Sequence, residues 1–444
     1  MTTAPIPLSV IGCGYLGAVH AAGMATLGHD VLGLDVDQDK VDLLNNGAAP
    51  FFEPGLEDLL RRALDTGRLR FTTSYAEIAA HADVHFLCVG TPQSTSSNAA
   101  DMTYVDAATE SLAAHLTRPC LVVGKSTVPV GKAEKIAARI AELAPVGVAA
   151  HVAWNPEFLR EGFAVRDTIA PDRVVVGVSD PADAATLKAV YEPVLAAGMP
   201  WIVTDLATAQ LVKNAANAFL ATKISFINAM AELCEASGAD VVALADAIGH
   251  DPRIGRRFLQ AGLGFGGGCL PKDLRGFMAR ADELGVDQAL AFLREVDHIN
   301  LRRRRRAIEQ TREILGGRVQ DRVIAVLGAS FKPDSDDIRD SPALDVAKAL
   351  SAEGAHVRVT DPQALANVRR TAPLLHCVDD PLAACAGADV VLHLTEWREF
   401  GELDPSELGS LVSHRRLLDC RNTLDVPRWQ GAGWTVWALG RPNL

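Results

Sequence analysis

Phe265-Gly266-Gly267-Gly268-Cys269-Leu270-Pro271-Lys272-Asp273 runs three glycines into a thiol and then into a helix start. Consecutive glycines free the backbone to wrap closely around a ligand. Pro271 suits the first position of a helix over 273–284, which sets Cys269 just ahead of its N-terminus. The helix field there lowers a thiol pKa from about 8.5 and raises its thiolate fraction. Cys269 is a candidate nucleophile, with a structural loop thiol as the alternative. Asn155-Pro156-Glu157-Phe158-Leu159-Arg160-Glu161-Gly162 carries two carboxylates four apart beside a predicted strand end. One of them can act as a general base if partly buried; a solvated helix-face pair is the alternative. Lys213 and Asn217 are also four apart, hence on one helix face. A cation and an amide so placed hold a developing oxyanion, unless they are simply a surface pair.

A fourth segment binds rather than reacts. Gly12-Cys13-Gly14-Tyr15-Leu16-Gly17 follows the β-rich run Leu8–Ile11, opens an Ala-rich helix, and precedes a second apolar run that ends at Asp35. In that setting the glycines admit a pyrophosphate to a helix N-terminus. Asp35 accepts hydrogen bonds from both ribose hydroxyls and repels a 2′-phosphate, so NAD is expected over NADP. A structural glycine turn is the alternative. The Thr91–Asp101 stretch, rich in Ser, Thr, Asn and Ala, reads as a flexible loop by the cofactor.

The elements that position these residues follow from periodicity. Val84–Val89, Cys120–Val123, His151–Trp154 and Arg173–Val178 read as further buried strands and Gly131–Leu143 as a helix. Residues 1–205 are thus a doubly wound parallel sheet. Leu206–Ser237 lacks Gly and Pro and repeats apolar residues at helical spacing (Leu211, Ala215, Phe219, Ile224, Ile227). It is one long helix, or two with a short break, and helix continues to about 310; this stretch is also suited to a dimer interface. From Val323 the α/β pattern returns: strand Val323–Leu327, helix Ala343–Glu353, strand His356–Thr360 closing at Asp361. Gly28 precedes Asp35 by the same seven residues as Gly354 precedes Asp361. The expected fold class is α/β: two Rossmann-like doubly wound domains, 1–205 and 311–444, joined by a central helical domain, 206–310, with ligands in a shared cleft.

Composition bounds the rest. The 444 residues suffice for two to four domains at roughly 100–200 residues each. With 43 Lys+Arg against 55 Asp+Glu the net charge is −12, which argues against nucleic acid as a partner. Arg302–Arg306 reads as a solvated or acid-paired run rather than a nucleic-acid patch. No stretch approaches the ~20 apolar residues of a membrane span, and Met1–Pro7 has no basic segment before an apolar block, so a cytoplasmic enzyme is expected. Cys13, Cys88, Cys120, Cys234, Cys269, Cys377, Cys385 and Cys420 include no C-x-x-C pair, which fits neither a disulfide framework nor a metal site. Each of them is expected to be a small buried hydrophobe unless its surroundings say otherwise.

Taken together, these segments make the chain resemble the UDP-glucose/GDP-mannose dehydrogenase family over nearly its whole length. The matching motifs are Gly12–Gly17, Asp35-Val36-Asp37 with Lys40, Val89-Gly90-Thr91-Pro92, Ser126-Thr127-Val128-Pro129, Asn155–Gly162, Lys213 with Asn217, Arg253-Ile254-Gly255 and the Cys269 loop. Phe331-Lys332-Pro333, Asp336-Asp337-Ile338-Arg339, Thr395-Glu396-Trp397 and Asp419-Cys420-Arg421-Asn422 complete them. Departures are Gly268 where the family usually has Ser, Leu270 where Phe is common, Ala261 and Leu263 where Pro is frequent, and no Gly in the 91–101 loop.

The resemblance implies NAD-dependent, four-electron oxidation of a nucleotide-hexose C6 alcohol to the uronic acid. UDP-glucose is favoured as the substrate, with dTDP-glucose or GDP-mannose as the alternative. It implies that Cys269 attacks the C6 aldehyde to give a thiohemiacetal and then a thioester. Lys213, Asn217 and Asp273 would serve the C6 oxygen, Thr127 a catalytic water, and Glu157 the hydrolysis. It assigns Gly12, Gly14, Tyr15, Leu16, Gly17, Asp35, Lys40, Thr91, Thr127, Glu161 and Arg339 to the cofactor. It assigns Glu157, Phe158, Leu159, Lys213, Asn217, Phe265, Gly266, Lys332 and Arg421 to the nucleotide-sugar, with Arg253 reaching a neighbouring subunit in a homodimer. The central domain would then dimerise and the last would bind the nucleotide-sugar. Two rival classes share the cofactor motif: a two-electron hydroxyacid dehydrogenase, indifferent to loss of Cys269, and a non-catalytic dinucleotide-binding protein.

Overall fold

Short runs, mostly rich in apolar residues, form the strands of the computed structural model, which describes residues 5–442. Met1–Ala4, on which part of the leader reading rests, and residues 443–444 lie outside the described residues. The strands are β1 (Pro7–Ile11), β2 (Asp30–Leu34), β3 (Leu69–Thr72), β4 (Val84–Leu87), β5 (Cys120–Gly124), β6 (Ala150–Trp154), β7 (Val174–Gly177) and β8 (Trp201–Thr204), followed by β9 (Val323–Leu327), β10 (His356–Thr360), β11 (His376–Cys377), β12 (Val390–His393), β13 (Arg416–Asp419) and β14 (Thr435–Ala438). The chain divides into two units. One holds the residues up to Ala216 with Arg275–Leu284; the other holds Asn217–Leu274 and everything from Gly285.

In the first unit the strand order is β3-β2-β1-β4-β5-β6-β7-β8. Pairing is parallel except at β6–β7, where the single pair Trp154↔Gly177 is antiparallel. The inner strands are buried on both faces, so their sequences are continuously apolar rather than alternating. The helix Tyr15–Thr26 packs on this sheet through small residues, Ala18, Ala21, Ala22 and Ala25 among them. Gly17 is obligatory there, because a Cβ would lie 1.9 Å from the Gly12 carbonyl oxygen.

In the second unit the order is β11-β10-β9-β12-β13-β14, all parallel. It repeats the order of the first six strands of the other sheet, so the seven-residue Gly-to-Asp correspondence reflects two copies of one topology. Leu206–Ser237 is one unbroken helix of 32 residues. Phe292–Ile314 is a second long helix, and the arginine run lies inside it. The acid-paired reading of that run holds: Arg302 meets Glu232 and Glu295, Arg303 meets Glu235, and Arg306 meets Glu235 and Glu313. The solvated reading fails at Arg303 and Arg304, which are buried. They share the inward stripe of this helix with Val296, Asn300, Ala307 and Thr311, because five consecutive arginines span more than one helical turn and cannot all lie on the solvent face.

Candidate active site

Each unit carries its own set of predicted site residues. In the first, Gly14 is the N-cap of helix Tyr15–Thr26; no side chain caps that end and no acid lies in its first turn. The helix therefore presents backbone N–H groups and its positive field to an anion. Gly12 donates to the Leu34 carbonyl at 2.7 Å, tying the turn to the strand that ends at Asp35. The Asp35 carboxylate is steered by Lys40 Nζ at 3.0 and 3.1 Å and by the Asp37 N–H at 3.2 Å. An open helix end beside an acid at the adjacent strand end fits the pyrophosphate and ribose of NAD. Leu16 follows in the same turn. Thr91 is buried and its hydroxyl donates to the Thr127 carbonyl at 2.9 Å, joining the ends of β4 and β5.

Asn155–Arg160 is extended and irregular, which removes the helix-face reading of Glu157 and Glu161. Glu157 faces Lys213 at 2.9 Å, with 13% and 6% of the two side chains exposed, and its other oxygen accepts the Leu159 N–H at 2.5 Å. Lys213 is therefore not a surface residue. Its ammonium stands 5.8 Å from the centre of the Phe158 ring, and Arg173 stacks on that ring at 3.8 Å. A cavity of about 60 Å³ adjoins this group, lined by Glu157, Phe158, Leu159, Lys125 and Tyr191 among others. Burial pushes the Lys125 amine down to about 8.

Glu53 is a residue that motif reasoning did not single out. It is buried and accepts hydrogen bonds from the Tyr15 hydroxyl and from the N–H groups of Gly162 and Ala164, each of the latter at 2.7 Å. Burial pushes its carboxyl up while these hydrogen bonds pull it down. Glu161 thus sits in a turn pinned on one side by Glu53 and on the other by the Arg160–Asp167 pair at 2.6 Å. The available signal was a carboxylate inside Phe51-Phe52-Glu53-Pro54-Gly55, an apolar and rigid setting for a charge.

The second unit holds the first turn of the helix Leu270–Glu283, which starts three residues earlier than expected, with Cys269 immediately before it and exposed. Pro271 is its second residue, because the Cys269 carbonyl already accepts the first helical bond, from the Asp273 N–H at 2.9 Å. Asp273 is buried, takes the Asn217 amide at 2.7 Å and pairs with Lys272 at 2.5 Å. Asn217 is buried as well. The glycines ahead of Cys269 pack against the protein itself: a Cβ on Gly266 would meet the Asp340 carbonyl at 2.3 Å, and one on Gly268 would meet the Arg339 guanidinium at 2.2 Å. A serine at 268 would therefore require Arg339 to move. Arg339 itself pairs with Asp337 at 2.7 Å. Lys332 stands over the Phe331 ring at 5.4 Å. Arg421 spends its donors on the carbonyls of Leu394 (2.6 Å), Gly264 (3.2 Å) and Phe331 (3.3 Å) and pairs with Glu396 at 3.1 Å. Arg253 is highly exposed and pairs with Asp251 at 2.6 Å.

The strand-end acids of the two sheets differ. Asp361 accepts six hydrogen bonds from its own unit: the N–H groups of Ala329, Ser330, Gln363 and Ala364, the Ser330 hydroxyl and the Trp397 indole. Among the described residues no group of three or more His, Cys, Asp or Glu is placed to hold a metal ion, and no helix is long and apolar enough to cross a membrane.

Two Rossmann-type sheets, an open glycine turn with its acid, and an exposed cysteine at a helix start define a dinucleotide-dependent oxidoreductase. Three models of the UDP-glucose/GDP-mannose dehydrogenase family match in order: the NAD binding domain over residues 6–195, the central domain over 207–302 and the UDP binding domain over 325–426. The chain is 40% identical to UDP-glucose 6-dehydrogenase of Rhizobium meliloti (strain 1021) over 438 residues, 98% of this chain and all of the relative. It is similar to the structure of a UDP-glucose dehydrogenase from Pyrobaculum islandicum, with a TM-score of 0.89, 39% identity and coverage of 97% and 98% of the two chains. It is also similar to that of a UDP-D-ManNAc dehydrogenase from Pyrococcus horikoshii, with a TM-score of 0.86, 27% identity and coverage of 98% and 100%. The chain belongs to the UDP-glucose/GDP-mannose dehydrogenase family and is an NAD-dependent nucleotide-sugar dehydrogenase.

Proposed function

We propose that this chain oxidises the C6 alcohol of UDP-glucose to a carboxylate, a four-electron reaction that reduces two NAD per turnover. The observation that carries the reading is Cys269, the one exposed cysteine among the eight, at the start of a helix whose first turn holds buried Asp273, bonded to the buried Asn217 of the long helix. A two-electron dehydrogenase stops at the carbonyl and has no use for such a thiol. The second hydride must leave a tetrahedral carbon bearing oxygen, and addition of a thiol to the aldehyde supplies one.

When bound, NAD accepts hydride. The Gly12–Gly17 turn, with Tyr15 and Leu16, would hold its pyrophosphate, and Asp35 steered by Lys40 its ribose; Thr91, Thr127, Glu161 and Arg339 complete the cofactor set. As the C6 alcohol loses hydride, its hydroxyl proton passes to a basic group of the Lys213, Asn217 and Asp273 set. The Cys269 thiolate adds to the aldehyde carbon, and the same groups hold the oxyanion of the resulting thiohemiacetal. Loss of the second hydride leaves a thioester. Glu157 takes a proton from a water held by Thr127, the hydroxide adds to the acyl carbon, and the C–S bond breaks to return the thiolate. Phe158, Leu159, Phe265, Gly266, Lys332 and Arg421 serve the nucleotide-sugar.

The full-length likeness to UDP-glucose 6-dehydrogenases supports the choice of base and hexose. A homodimer is part of the reading, with Arg253 reaching the neighbouring subunit. Supporting it, Phe219, Phe226 and Leu233 recur every seven residues on Leu206–Ser237 and are 66%, 49% and 60% exposed in the single chain. Three functional segments are proposed: cofactor binding in 1–205, dimerisation in 206–310 and nucleotide-sugar binding in 311–444. Eight cysteines with no C-x-x-C pair suit the reducing cytoplasm.

The test is NADH stoichiometry on a panel of UDP-, dTDP- and GDP-hexoses, with the sugar product identified. Two NADH per UDP-glucose and a uronic acid are expected; one NADH with release of aldehyde defeats the four-electron reading. Cys269→Ser is expected to stop after the first oxidation or to stall as a slow ester.

A further inference from the structure

We propose that Asn300 and Arg304, one turn apart on the helix Phe292–Ile314, are positioning residues that set the backbone of the Gly262–Gly268 loop and thereby the fit of the nucleotide-sugar. The proposal rests on the assignment of that loop to substrate.

Residues 261–267 are buried yet form no helix or strand. A buried segment without regular structure must find partners for its N–H and C=O groups elsewhere. The helix Phe292–Ile314 supplies the central ones. The Asn300 side chain is fully buried, accepts the Phe265 N–H at 2.7 Å and donates to the Phe265 carbonyl at 3.0 Å. One amide thus does for Phe265 what a neighbouring strand does in a sheet. Arg304 adds a second donor to the same carbonyl at 3.1 Å. Its guanidinium is fixed in turn by Asp340 at 2.9 Å and by Asp345. Arg303 donates to the Gly262 carbonyl at 3.3 Å.

The fit leaves no slack. Gly264 has φ +94°, and a Cβ there would stand 2.2 Å from the Asn300 side-chain oxygen. Three residues beyond Phe265 the chain reaches Gly268, and then Cys269. The arginine run therefore has two jobs: Arg302 and Arg306 pair with acids of their own helix and of the long helix, while Arg303 and Arg304, with Asn300, face the loop.

Asn300→Asp keeps an acceptor for the Phe265 N–H but sets a carboxylate oxygen against the Phe265 carbonyl; Arg304→Lys removes the planar fork while keeping the charge. Both are expected to raise KM for UDP-glucose roughly tenfold, the cost of one buried hydrogen bond, with KM for NAD within about twofold of wild type. The rate of iodoacetamide alkylation at Cys269, followed on its own peptide by mass spectrometry without substrate, should also change in both. Arg302→Gln should match wild type throughout. Variants that lose only melting temperature, with both KM values and the alkylation rate unchanged, would overturn the proposal. So would equal shifts in the two KM values. An altered alkylation rate in protein that turns over no nucleotide-sugar would leave the positioning role standing and defeat the functional reading alone.

Discussion

Lys213 Nζ lies 2.9 Å from Glu157 Oε1, an ion pair withdrawn almost wholly from solvent and joining the long helix to the irregular segment after β6. Removing one partner of a buried pair costs roughly 3–5 kcal/mol, whereas replacing both with apolar residues of similar volume is close to neutral. Glu157→Ala should therefore lower chemical-denaturation stability by about that amount and abolish product release. The double variant Lys213→Met/Glu157→Leu should recover most of the stability and none of the turnover. Recovery of turnover would remove the pair from the chemistry.

Glu53→Gln keeps the shape of the side chain but cannot accept from Tyr15, Gly162 and Ala164 together. Because those bonds tie the glycine turn to the loop bearing Glu161, NAD affinity measured by calorimetry should fall roughly tenfold. Tyr15→Phe, which loses one bond, should lose less. Equal NAD affinity in Glu53→Gln and wild type would show that the clamp does not reach the cofactor.

His85 is buried against the Ser9 hydroxyl at 2.7 Å, and burial pushes its imidazole down to about 4. The folded protein holds it neutral while the unfolded chain protonates near 6.5, so the unfolded state binds more protons between those values. Its contribution is complete above pH 6.5 and is lost as pH falls towards 4, amounting to roughly 3 kcal/mol. Urea melts at pH 7.5 and 4.5 should show a smaller acid-induced loss in His85→Asn. Parallel losses in the two proteins would place the acid sensitivity elsewhere, with the buried His20 next to be tested.

Phe226→Glu should halve the mass seen in sedimentation, since a carboxylate replaces an apolar group in the exposed stripe of the long helix. Arg253→Ala should leave the mass unchanged and raise KM for the nucleotide-sugar. A Phe226→Glu protein that sediments like wild type would move the interface away from this stripe.

Much of this organisation was readable in the sequence, for physical reasons that can be named. The long helix could be delimited at Leu206 and Ser237 because 32 residues without Gly or Pro leave one period to read. β9 could be delimited because it is a buried apolar run closed by a turn, and β10 because Val357 and Val359 alternate with more polar residues up to a closing acid. The antiparallel β6–β7 junction could not, since one backbone pair leaves no trace in side-chain pattern. Glu53, Asn300 and Arg304 escaped because their partners, backbone groups among them, are distant in sequence, which no motif spacing encodes. The arginines were read as a charge run, although the periodicity test that located the helices sets 300, 303, 304, 307 and 311 on one face.

Asp361 accepts six hydrogen bonds from its own surroundings, and a ribose diol finds little to bind there. The two halves share a topology but cannot share the labour of oxidation. In the proposed four-electron reading, both oxidations of one sugar are served by the Asp35 half in succession. The sugar has to be retained while that half is reloaded, and retention of a reactive aldehyde then becomes as much a requirement on this protein as the chemistry itself.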